Sequence, residues 1–502
     1  MTTAEEKKIK SEFKAKAQKE PEKFYPIEVL KENGFRRFKC SKCGSFFWSA
    51  VEREICGDPN CSGKYQFIGN SPTKTKLEYL EVWKRFSKTF KKFGYAPIAR
   101  YPVAARWRDD MDFVIASIAD FQPYVVSGEI EPPANPLTIP QFCLRFGDVD
   151  NVGITGRHFT GFVMIGQHAF MPPKDYKPRD YISHIFKWLT EEVKIPKTEL
   201  QFHEDAWAGG GNMGPSIEFF SRGLELGNQV YMQYDIKNGI KELGIKVLDM
   251  GMGQERYAWL TNGTNTSYDV VFPSVVKKIF SLNGIKPDAP VWNKFLPYSG
   301  MLNLDEADNI EKVWQNIAKD INMDVKELKG KIIPVSAVYS IADHTRSLLL
   351  ALNDSALPSN VGGGYNLRVI LRRSLDFINK YGWDIHLPDL CREHAKYLKP
   401  QYPELMENLD DIDEILDFEK KKYAETVVKS KKLVSNLSAN QITEEKLIEL
   451  YDSHGISPDL IAEQLNIKVP EGFYGKVAER HEKAEMESKK AKEGNASSAE
   501  AA

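Results

Sequence analysis

Two stretches of alternating apolar and polar residues, 141–146 and 159–165, lie on either side of a loop rich in Gly, Asp and Asn. Alternation with a period of two around such a loop is typical of two antiparallel strands. The first stretch carries Arg145 between Leu144 and Phe146. An arginine fits poorly in a core, but on the floor of a site its planar guanidinium can hold a phosphate. The pattern therefore predicts a strand pair that handles a nucleotide.

Other segments have recognisable periods. Residues 76–95 repeat apolar positions at helical spacing and predict an amphipathic helix that ends at Gly94. Residues 130–140 contain four prolines, which predict extended chain. Residues 244–263 predict a strand, a glycine turn and a helix.

Helical patterns dominate from about residue 286 to 470, most clearly in 340–354 and 366–382. Residues 1–20 are charged and predict either a helix or a disordered arm. Residues near the C-terminus are charged, rich in alanine and without an apolar face, which predicts a helical or disordered tail.

A length of 502 residues is too great for one compact core, and the changes of pattern predict four parts. They are an arm with a cysteine module (1–74), a mixed strand and helix region (75–285), a helical region (286–470) and the tail (471–502). The net charge of -2 means that any surface for nucleic acid must be local. We expect a cytoplasmic protein without a membrane span, because no signal peptide and no run of about 18 apolar residues is present.

Four of the six cysteines lie within 22 residues, with the spacing C-x2-C-x12-C-x4-C. They are Cys40, Cys43, Cys56 and Cys61. Two close pairs on separate turns can converge on one tetrahedral zinc ion. Two disulfides are the alternative, which a reducing cytosol disfavours. A zinc ion with four thiolate ligands would be structural, since no coordination position stays open for catalysis.

A second motif that bears an arginine, GMGQER at 251–256, follows an apolar strand pattern. The plain interpretation is a strand-to-helix turn in which Arg256 pairs with a carboxylate. The functional interpretation is that Arg145 and Arg256 clamp a triphosphate from two sides. Each motif alone is weak support, and the two together favour the functional interpretation.

Several longer segments match one known family. They are 106–136, 143–162 (CLRFGDVDNVGITGRHFTGF), 204–218 (EDAWAGGGNMGPSIE), 227–234, 247–256 (VLDMGMGQER), 340–373 and 450–460 (LYDSHGISPDL). From about residue 25 to 480 the chain resembles the archaeal branch of the alanyl-tRNA synthetases. The resemblance implies an α+β fold, with a class II catalytic core built on a seven-stranded antiparallel-type sheet with flanking helices, and a mostly helical second domain.

The resemblance also implies roles for particular residues. The strand pair looks like class II motif 2 and GMGQER like motif 3. Arg145 would then bind the α-phosphate of ATP, Arg256 the γ-phosphate end, and Phe162 would stack on adenine. Trp207, Asn228 and Asp249 would form the alanine pocket, with Asp249 on the α-ammonium. From the residues alone, the favoured interpretations are a tryptophan that plugs a loop and two capping side chains.

Further implied partners are Mg²⁺, with Glu218 as a candidate ligand, and the acceptor stem of tRNA(Ala). Asn360 and Asp452 match positions that the family uses on the G·U pair of that stem, in the shallow minor groove. Four arginines would hold phosphates, and a solvated helix flank is their alternative. They are Arg346, Arg368, Arg372 and Arg373.

The chain departs from the family at two points. It has Val163 where relatives read Glu, which would alter the adenine contact, and it stops before the family's editing and oligomerisation domains. We therefore expect a monomer that mischarges serine unless a separate editing protein acts in trans. Two other hypotheses remain open: a non-catalytic protein that binds acceptor stems, and a class II ligase for another small amino acid.

Overall fold

A single mixed sheet of nine strands lies at the centre of the first half of the chain. We describe the protein from a computed structural model, which covers residues 3–237, 239–303, 309–470, 472–477 and 480–481. The strands are β1 (Arg36–Lys39), β2 (Phe46–Ser49), β3 (Ala96–Pro97), β4 (Leu137–Leu144), β5 (Gly161–Met171), β6 (Leu200–Gly209), β7 (Asn212–Ser221), β8 (Leu224–Asp235) and β9 (Lys241–Gly253). Their order is β1-β2-β6-β7-β8-β9-β5-β4-β3. Every neighbouring pair is antiparallel except β3 and β4.

The α+β class is confirmed, and the strands β3 to β9 give the expected seven, to which the cysteine module adds two. The two strands of the cysteine module, β1 and β2, extend one edge of the sheet because β2 pairs with β6. The module is thus continuous with the central sheet.

Helices cover both faces of the sheet and build most of the second half. They are α1 (Thr3–Lys19), α2 (Pro21–Phe24), α3 (Glu28–Glu32), α4 (Pro59–Ser62), α5 (Tyr79–Lys92), α6 (Pro178–Lys187), α7 (Gln254–Asn262), α8 (Tyr268–Val271), α9 (Pro273–Asn283), α10 (Ala289–Phe295), α11 (Ile310–Asp320), α12 (Val325–Asn353), α13 (Gly362–Tyr381), α14 (Leu387–Leu398), α15 (Leu409–Val434), α16 (Glu444–His454) and α17 (Pro458–Leu465). Among the described residues, no helix is both long and apolar enough to cross a bilayer. The predicted tail lies outside the described residues, apart from 472–477 and 480–481.

The predicted antiparallel strand pair is confirmed. β4 and β5 pair in continuous register from Leu137 opposite His168 to Leu144 opposite Gly161. Arg145 directly follows the last residue of β4, so it lies at the mouth of the strand pair rather than within it.

The predicted glycine turn in 244–263 is wrong. β9 runs without interruption to Gly253, and α7 begins at the next residue. Gly251 lies inside the sheet, paired with β5 and β8, and the sulfur of Met164 lies 2.8 Å from where a Cβ would be. A glycine is needed here because a side chain from the neighbouring strand comes close to its Cα. The sequence alone cannot distinguish this need from that of a turn.

Within the predicted arm, Thr3–Lys19 form a helix, so the helical alternative is the one observed. α1 lies against β6, where Lys14 pairs with Asp205 at 2.7 Å and Gln18 donates to the carbonyl of Glu204 at 3.0 Å. The helix predicted over 76–95 is α5, and Gly94 follows it with φ of 90°, in the left-handed region.

The longest helix, α12, joins the helical region to the sheet. Its residues from 335 to 352 are buried on all sides, as expected for a helix inside a core. Asp343 on α12 accepts from the backbone N–H of Thr160 at 3.0 Å, just before β5. The start of β5 is therefore held by the helical region.

Arg346, also on α12, is a core residue with a side chain only 1% exposed. Its guanidinium pairs with Glu255 at 3.1 Å and donates to the carbonyl of Gly161. Four aromatic rings surround it at 4.6 to 5.9 Å: those of Tyr79, Phe142, Phe159 and Phe272. The expectation that Arg346 holds an RNA phosphate is wrong, because RNA cannot reach this position.

Replacing Arg346 with alanine should lower the free energy of unfolding by about 3–5 kcal/mol, because Glu255 would keep a buried charge without its partner. Urea denaturation followed by circular dichroism measures the loss. Arg179→Ala is the control, since Arg179 and Glu32 form an ion pair in which both side chains are more than half exposed. An equal shift of the urea midpoint in both variants would contradict a structural role for Arg346.

Candidate active site

One face of the sheet carries a cavity of about 170 Å³ above β5, β8 and β9. The register places Met164 opposite Gly253, and Asn228 opposite Gly251, so these residues share that face. The lining residues are Arg145, Asp148, Arg157, His158, Phe159, Phe162, Met164, Glu225, Gly227, Asn228, Gly251, Gly253, Glu255 and Arg256. Four residues singled out from the sequence thus meet at one cavity: Arg145, Phe162, Asn228 and Arg256.

Arg145 lies at the mouth of this cavity. Its Nε donates to the carbonyl of Ile115 at 3.0 Å, and its guanidinium carbon lies 4.9 Å from the ring centroid of Phe162. Among the described residues it forms no ion pair, so its two Nη groups can point to an anion. An aromatic ring beside a free guanidinium suits a ligand with both a base and a phosphate.

Arg256 lies on the opposite wall, in the first turn of α7. Its Nη1 donates to the carboxylate of Glu225 at 2.9 Å and to the carbonyl of the same residue at 3.1 Å. The plain interpretation, that Arg256 pairs with a carboxylate, is therefore correct, and the arginine nevertheless lines the cavity. Sequence reasoning missed Glu225, which no spacing motif connects to Arg256.

Asp249 lies on the same face of β9, two residues before Gly251, but outside the cavity lining. Its cross-strand partners are His168 and Val230, and the His168 Nδ1 lies 3.6 Å from its carboxylate. Burial raises the pKa of Asp249 to about 7 and lowers the pKa of His168 to about 3. A buried carboxylate beside a neutral histidine is a position where a ligand cation would be stabilised.

Trp207 also lies outside the cavity lining. It packs against an apolar cluster that includes Val230, the cross-strand partner of Asp249, and its ring covers the backbone of Gly209. Trp207 and Val230 therefore belong to one apolar cluster on the sheet.

Glu218 lies on β7, directly opposite Asn228. Burial and the nearby charge of Glu225 raise the pKa of Glu218 well above its usual value. Glu218 forms no hydrogen bond with any described side chain, and carboxylate oxygens are the ligands that Mg²⁺ prefers. The pair Glu218 and Glu225 therefore fits a divalent cation chemically.

The side chain of Val163 faces away from the cavity. Its strand neighbours Phe162 and Met164 line the cavity, whereas Val163 is fully buried in the core on the other face. Its backbone N–H donates to Glu255 at 3.0 Å. The expectation that Val163 alters the adenine contact is thereby corrected.

The four clustered cysteines converge as their spacing predicts. The Sγ atoms of Cys40, Cys43, Cys56 and Cys61 all lie within 4.8 Å of one another, and those of Cys43 and Cys56 are 3.8 Å apart. Four thiolates at about 2.3 Å from a zinc ion would be about 3.8 Å apart. The donor set and its geometry therefore fit a structural zinc ion, which would hold β1 and β2 at the edge of the sheet.

The residues assigned to RNA lie around α13. Asn360 is exposed and accepts a hydrogen bond from Arg368, while Asp452 accepts one from the hydroxyl of Tyr365. Arg368 also pairs with Glu419 at 2.8 Å, with both side chains under a tenth exposed. Arg368 is thus neither a solvated flank nor free for a phosphate, and its expected role is corrected.

The two remaining arginines of α13 differ from each other. Arg373 pairs with Asp150 at 3.0 Å and is 8% exposed, which corrects its expected role as a phosphate ligand. Arg372 is half-buried and forms no hydrogen bond or ion pair with the described residues. Of the four arginines, Arg372 alone has a guanidinium without a polar partner among the described residues.

Comparison with known sequences places this geometry in a family. A family model described as tRNA synthetases class II (A) matches residues 81–502. The chain belongs to this family. The matched region contains the sheet strands β3 to β9, the cavity and the helical region.

Curated relatives carry a more specific name. Proteins named alanine–tRNA ligase are 50% identical in Methanocella arvoryzae, 41% in Nitrosopumilus maritimus and 39% in Thermococcus kodakarensis. The matches cover 95%, 95% and 93% of this chain, and 55%, 54% and 54% of those proteins. The chain therefore spans about half the length of the curated relatives it matches.

Among solved structures, pyrrolysyl-tRNA synthetase from Desulfitobacterium hafniense matches 39% of this chain and 73% of its own, at 14% identity and a TM-score of 0.27. That similarity is too low to support any argument about this fold.

The purified chain should hold about one zinc ion, and Cys61→Ser should lose it, because four thiolates are needed to close the coordination sphere. Elemental analysis measures the metal, and a thiol reagent counts the cysteines that react. Cys391→Ser is the control, since Cys391 is buried against the carbonyl of Thr345, away from the cluster. A metal-free chain with two disulfides in place of the four thiols would contradict the zinc site.

Proposed function

We propose that this chain activates alanine with ATP to form alanyl-adenylate and transfers the alanyl group to the 3′ end of tRNA(Ala). The observation that carries the proposal is the single cavity lined by Arg145, Phe162, Asn228 and Arg256. The family membership and the names of the curated relatives support it.

Activation requires an in-line attack of the alanine carboxylate on the α-phosphorus of ATP, with pyrophosphate as the leaving group. No protein nucleophile is needed, so catalysis consists of positioning the reactants and stabilising charge. Arg145 offers its Nη groups to the α-phosphate, and Phe162 offers a face for adenine. Arg256, across the cavity, receives the γ-phosphate end and exchanges its bond to Glu225 for bonds to the phosphate.

The alanine pocket continues along β9. Asp249, when ionised, binds the α-ammonium of alanine, and Asn228 orients the small end of the substrate. Trp207 closes the side of the pocket next to Val230. Glu218 and Glu225 would hold Mg²⁺, which supplies positive charge to the phosphates when it is bound.

Transfer requires a second surface that selects the tRNA. Asn360 and Asp452 offer an amide and a carboxylate to the G·U pair of the acceptor stem, and Arg372 offers its guanidinium to a phosphate. Asn360 and Asp452 both contact α13, which follows α12 in the chain. In turn, α12 holds the start of β5. The RNA surface and the cavity are therefore connected through packed helices.

The alternative of a non-catalytic RNA-binding protein depended on Val163. Because that side chain lies in the core and away from the cavity, the structure removes the observation that favoured this alternative.

Exchange of pyrophosphate into ATP tests the function directly. Alanine should support exchange and glycine should not. Arg145→Ala should abolish exchange, because the charge at the α-phosphate is no longer offset. Serine should support exchange about 10²-fold less efficiently than alanine, since an apolar pocket cannot strongly reject one added hydroxyl.

Asp452→Ala is the matched control for this experiment, since it should keep exchange and lose the charging of tRNA. Absence of exchange with all three amino acids would contradict the proposed activation. Loss of exchange in Asp452→Ala would contradict the separation of activation from RNA recognition.

The kcat/KM for alanine should fall about tenfold per pH unit below pH 7. The pKa of Asp249 is raised to about 7, so acid converts the carboxylate that binds the ammonium into its neutral form. His168 stays neutral over this range, because burial lowers its pKa to about 3. Exchange rates between pH 5.5 and 8.5 measure the profile.

Asp249→Asn should have a low kcat/KM for alanine that does not change with pH over the same range. A wild-type profile that is flat between pH 6 and 8 would exclude Asp249 as the group that binds the ammonium in its ionised form.

A further inference from the structure

The side-chain amide of Asn360 is held in one orientation. Its Oδ1 accepts a hydrogen bond from the Nη1 of Arg368. A guanidinium has only donors, so the amide nitrogen of Asn360 cannot take the place of its oxygen. Since Asn360 is exposed, its Nδ2 is left to face outward as a donor.

Arg368 is itself fixed from behind. Its Nε and Nη2 donate to the two carboxylate oxygens of Glu419 at 3.0 and 2.8 Å, and its Nη2 also reaches the carbonyl of Pro358 at 3.2 Å. The side chains of Arg368 and Glu419 are only 8% and 7% exposed. A buried two-pronged pair of this kind has a rigid geometry, so the Nη1 of Arg368 points to Asn360 in a defined direction.

Asp452 is held in a similar way from the same helix. The hydroxyl of Tyr365 donates to its Oδ1, and the Nε2 of His481 lies 3.2 Å from that same oxygen. The other carboxylate oxygen accepts no hydrogen bond among the described residues and lies 3.8 Å from the Nη1 of Arg480, so it remains the acceptor for a ligand beside that cation. Tyr365 and Arg368 are three residues apart on α13 and are therefore neighbours on one helix face.

We propose that Arg368, backed by Glu419, and Tyr365 are positioning residues that set the hydrogen-bond polarity of the two RNA readers, Asn360 as donor and Asp452 as acceptor. The proposal rests on the proposed tRNA recognition. Base pairs differ in the donors and acceptors on their edges, so a reader discriminates only if it presents a fixed pattern. An amide that is free to rotate can meet either a donor or an acceptor on the base edge. The protein would then lose selectivity without losing all of its affinity for the RNA.

Aminoacylation of two acceptor-stem RNA hairpins, identical except for G·U or G·C at the recognised position, tests the proposal. The measured quantity is the ratio of the two kcat/KM values. In Glu419→Gln the ratio should fall about tenfold, because Arg368 no longer has a charged anchor. Pyrophosphate exchange with alanine should not change, since Glu419 has no contact with the cavity.

Glu414→Gln is the matched control, because Glu414 is an exposed glutamate on the same helix, α15, and should keep the wild-type ratio. Arg368→Lys is a second variant, which keeps an ion pair with Glu419 but cannot also donate to Asn360. Its ratio of the two kcat/KM values should fall as well. Tyr365→Phe should lower the ratio through Asp452.

Variants that lose selectivity between the hairpins while keeping exchange would support the proposal. An unchanged ratio in Glu419→Gln and Arg368→Lys would overturn it, and so would an equal loss of charging with both hairpins, which indicates a merely structural role. A wild-type chain that charges both hairpins equally, with normal exchange, would overturn the recognition of G·U itself rather than the activation of alanine.

Discussion

The buried ion pair between Arg346 and Glu255 is the interaction on which the rest of the structure depends. Glu255 accepts hydrogen bonds from the hydroxyl of Tyr79, the backbone of Val163 and the guanidinium of Arg346, at 2.9, 3.0 and 3.1 Å. Arg346 adds a bond to the carbonyl of Gly161. A single pair of charges thereby joins α5, β5, α7 and α12. Because both charges are removed from water, neither can be lost without exposing the other to an apolar core.

This pair also determines where the active-site residues lie. Glu255 precedes Arg256 in α7, and Val163 follows Phe162 in β5, so the pair fixes the backbone of two residues that line the cavity. Catalysis by positioning requires side chains that are rigid before the substrate arrives. Under the proposed function, the helical region therefore has a part in activation, since α12 supplies the arginine. The candidate RNA-binding residues Asn360 and Asp452 contact α13 instead.

The sequence was most informative where a pattern is local. The alternation around Arg145, the helical periods and the cysteine spacing each depend on neighbours in the chain, and each corresponds to the observed element. Contacts between distant residues were not predictable. Arg346 and Glu255 are 91 positions apart, and nothing in the sequence connects them. The helix is buried on all sides between 335 and 352. A buried arginine needs a carboxylate, but the periodicity of the sequence does not show which one.

The same reasoning explains the errors over α13. A run of arginines on a helix suggests a phosphate surface, yet Arg368 and Arg373 are neutralised by Glu419 and Asp150, which come from other elements. The sequence shows only which charged residues are present. Burial and ion-pair partners decide which of those charges remain available to a ligand. The face of the sheet on which a strand residue lies was assigned wrongly for a similar reason. Val163 and Phe162 are adjacent in the chain but face opposite sides of the sheet.

A crystal structure of the chain with a non-hydrolysable sulfamoyl analogue of alanyl-adenylate tests the central claim most directly. The account predicts adenine against Phe162, the sulfamoyl group within hydrogen-bond distance of Arg145 and the α-ammonium on Asp249. An analogue bound elsewhere, or bound in this cavity with its ammonium away from Asp249, would contradict it.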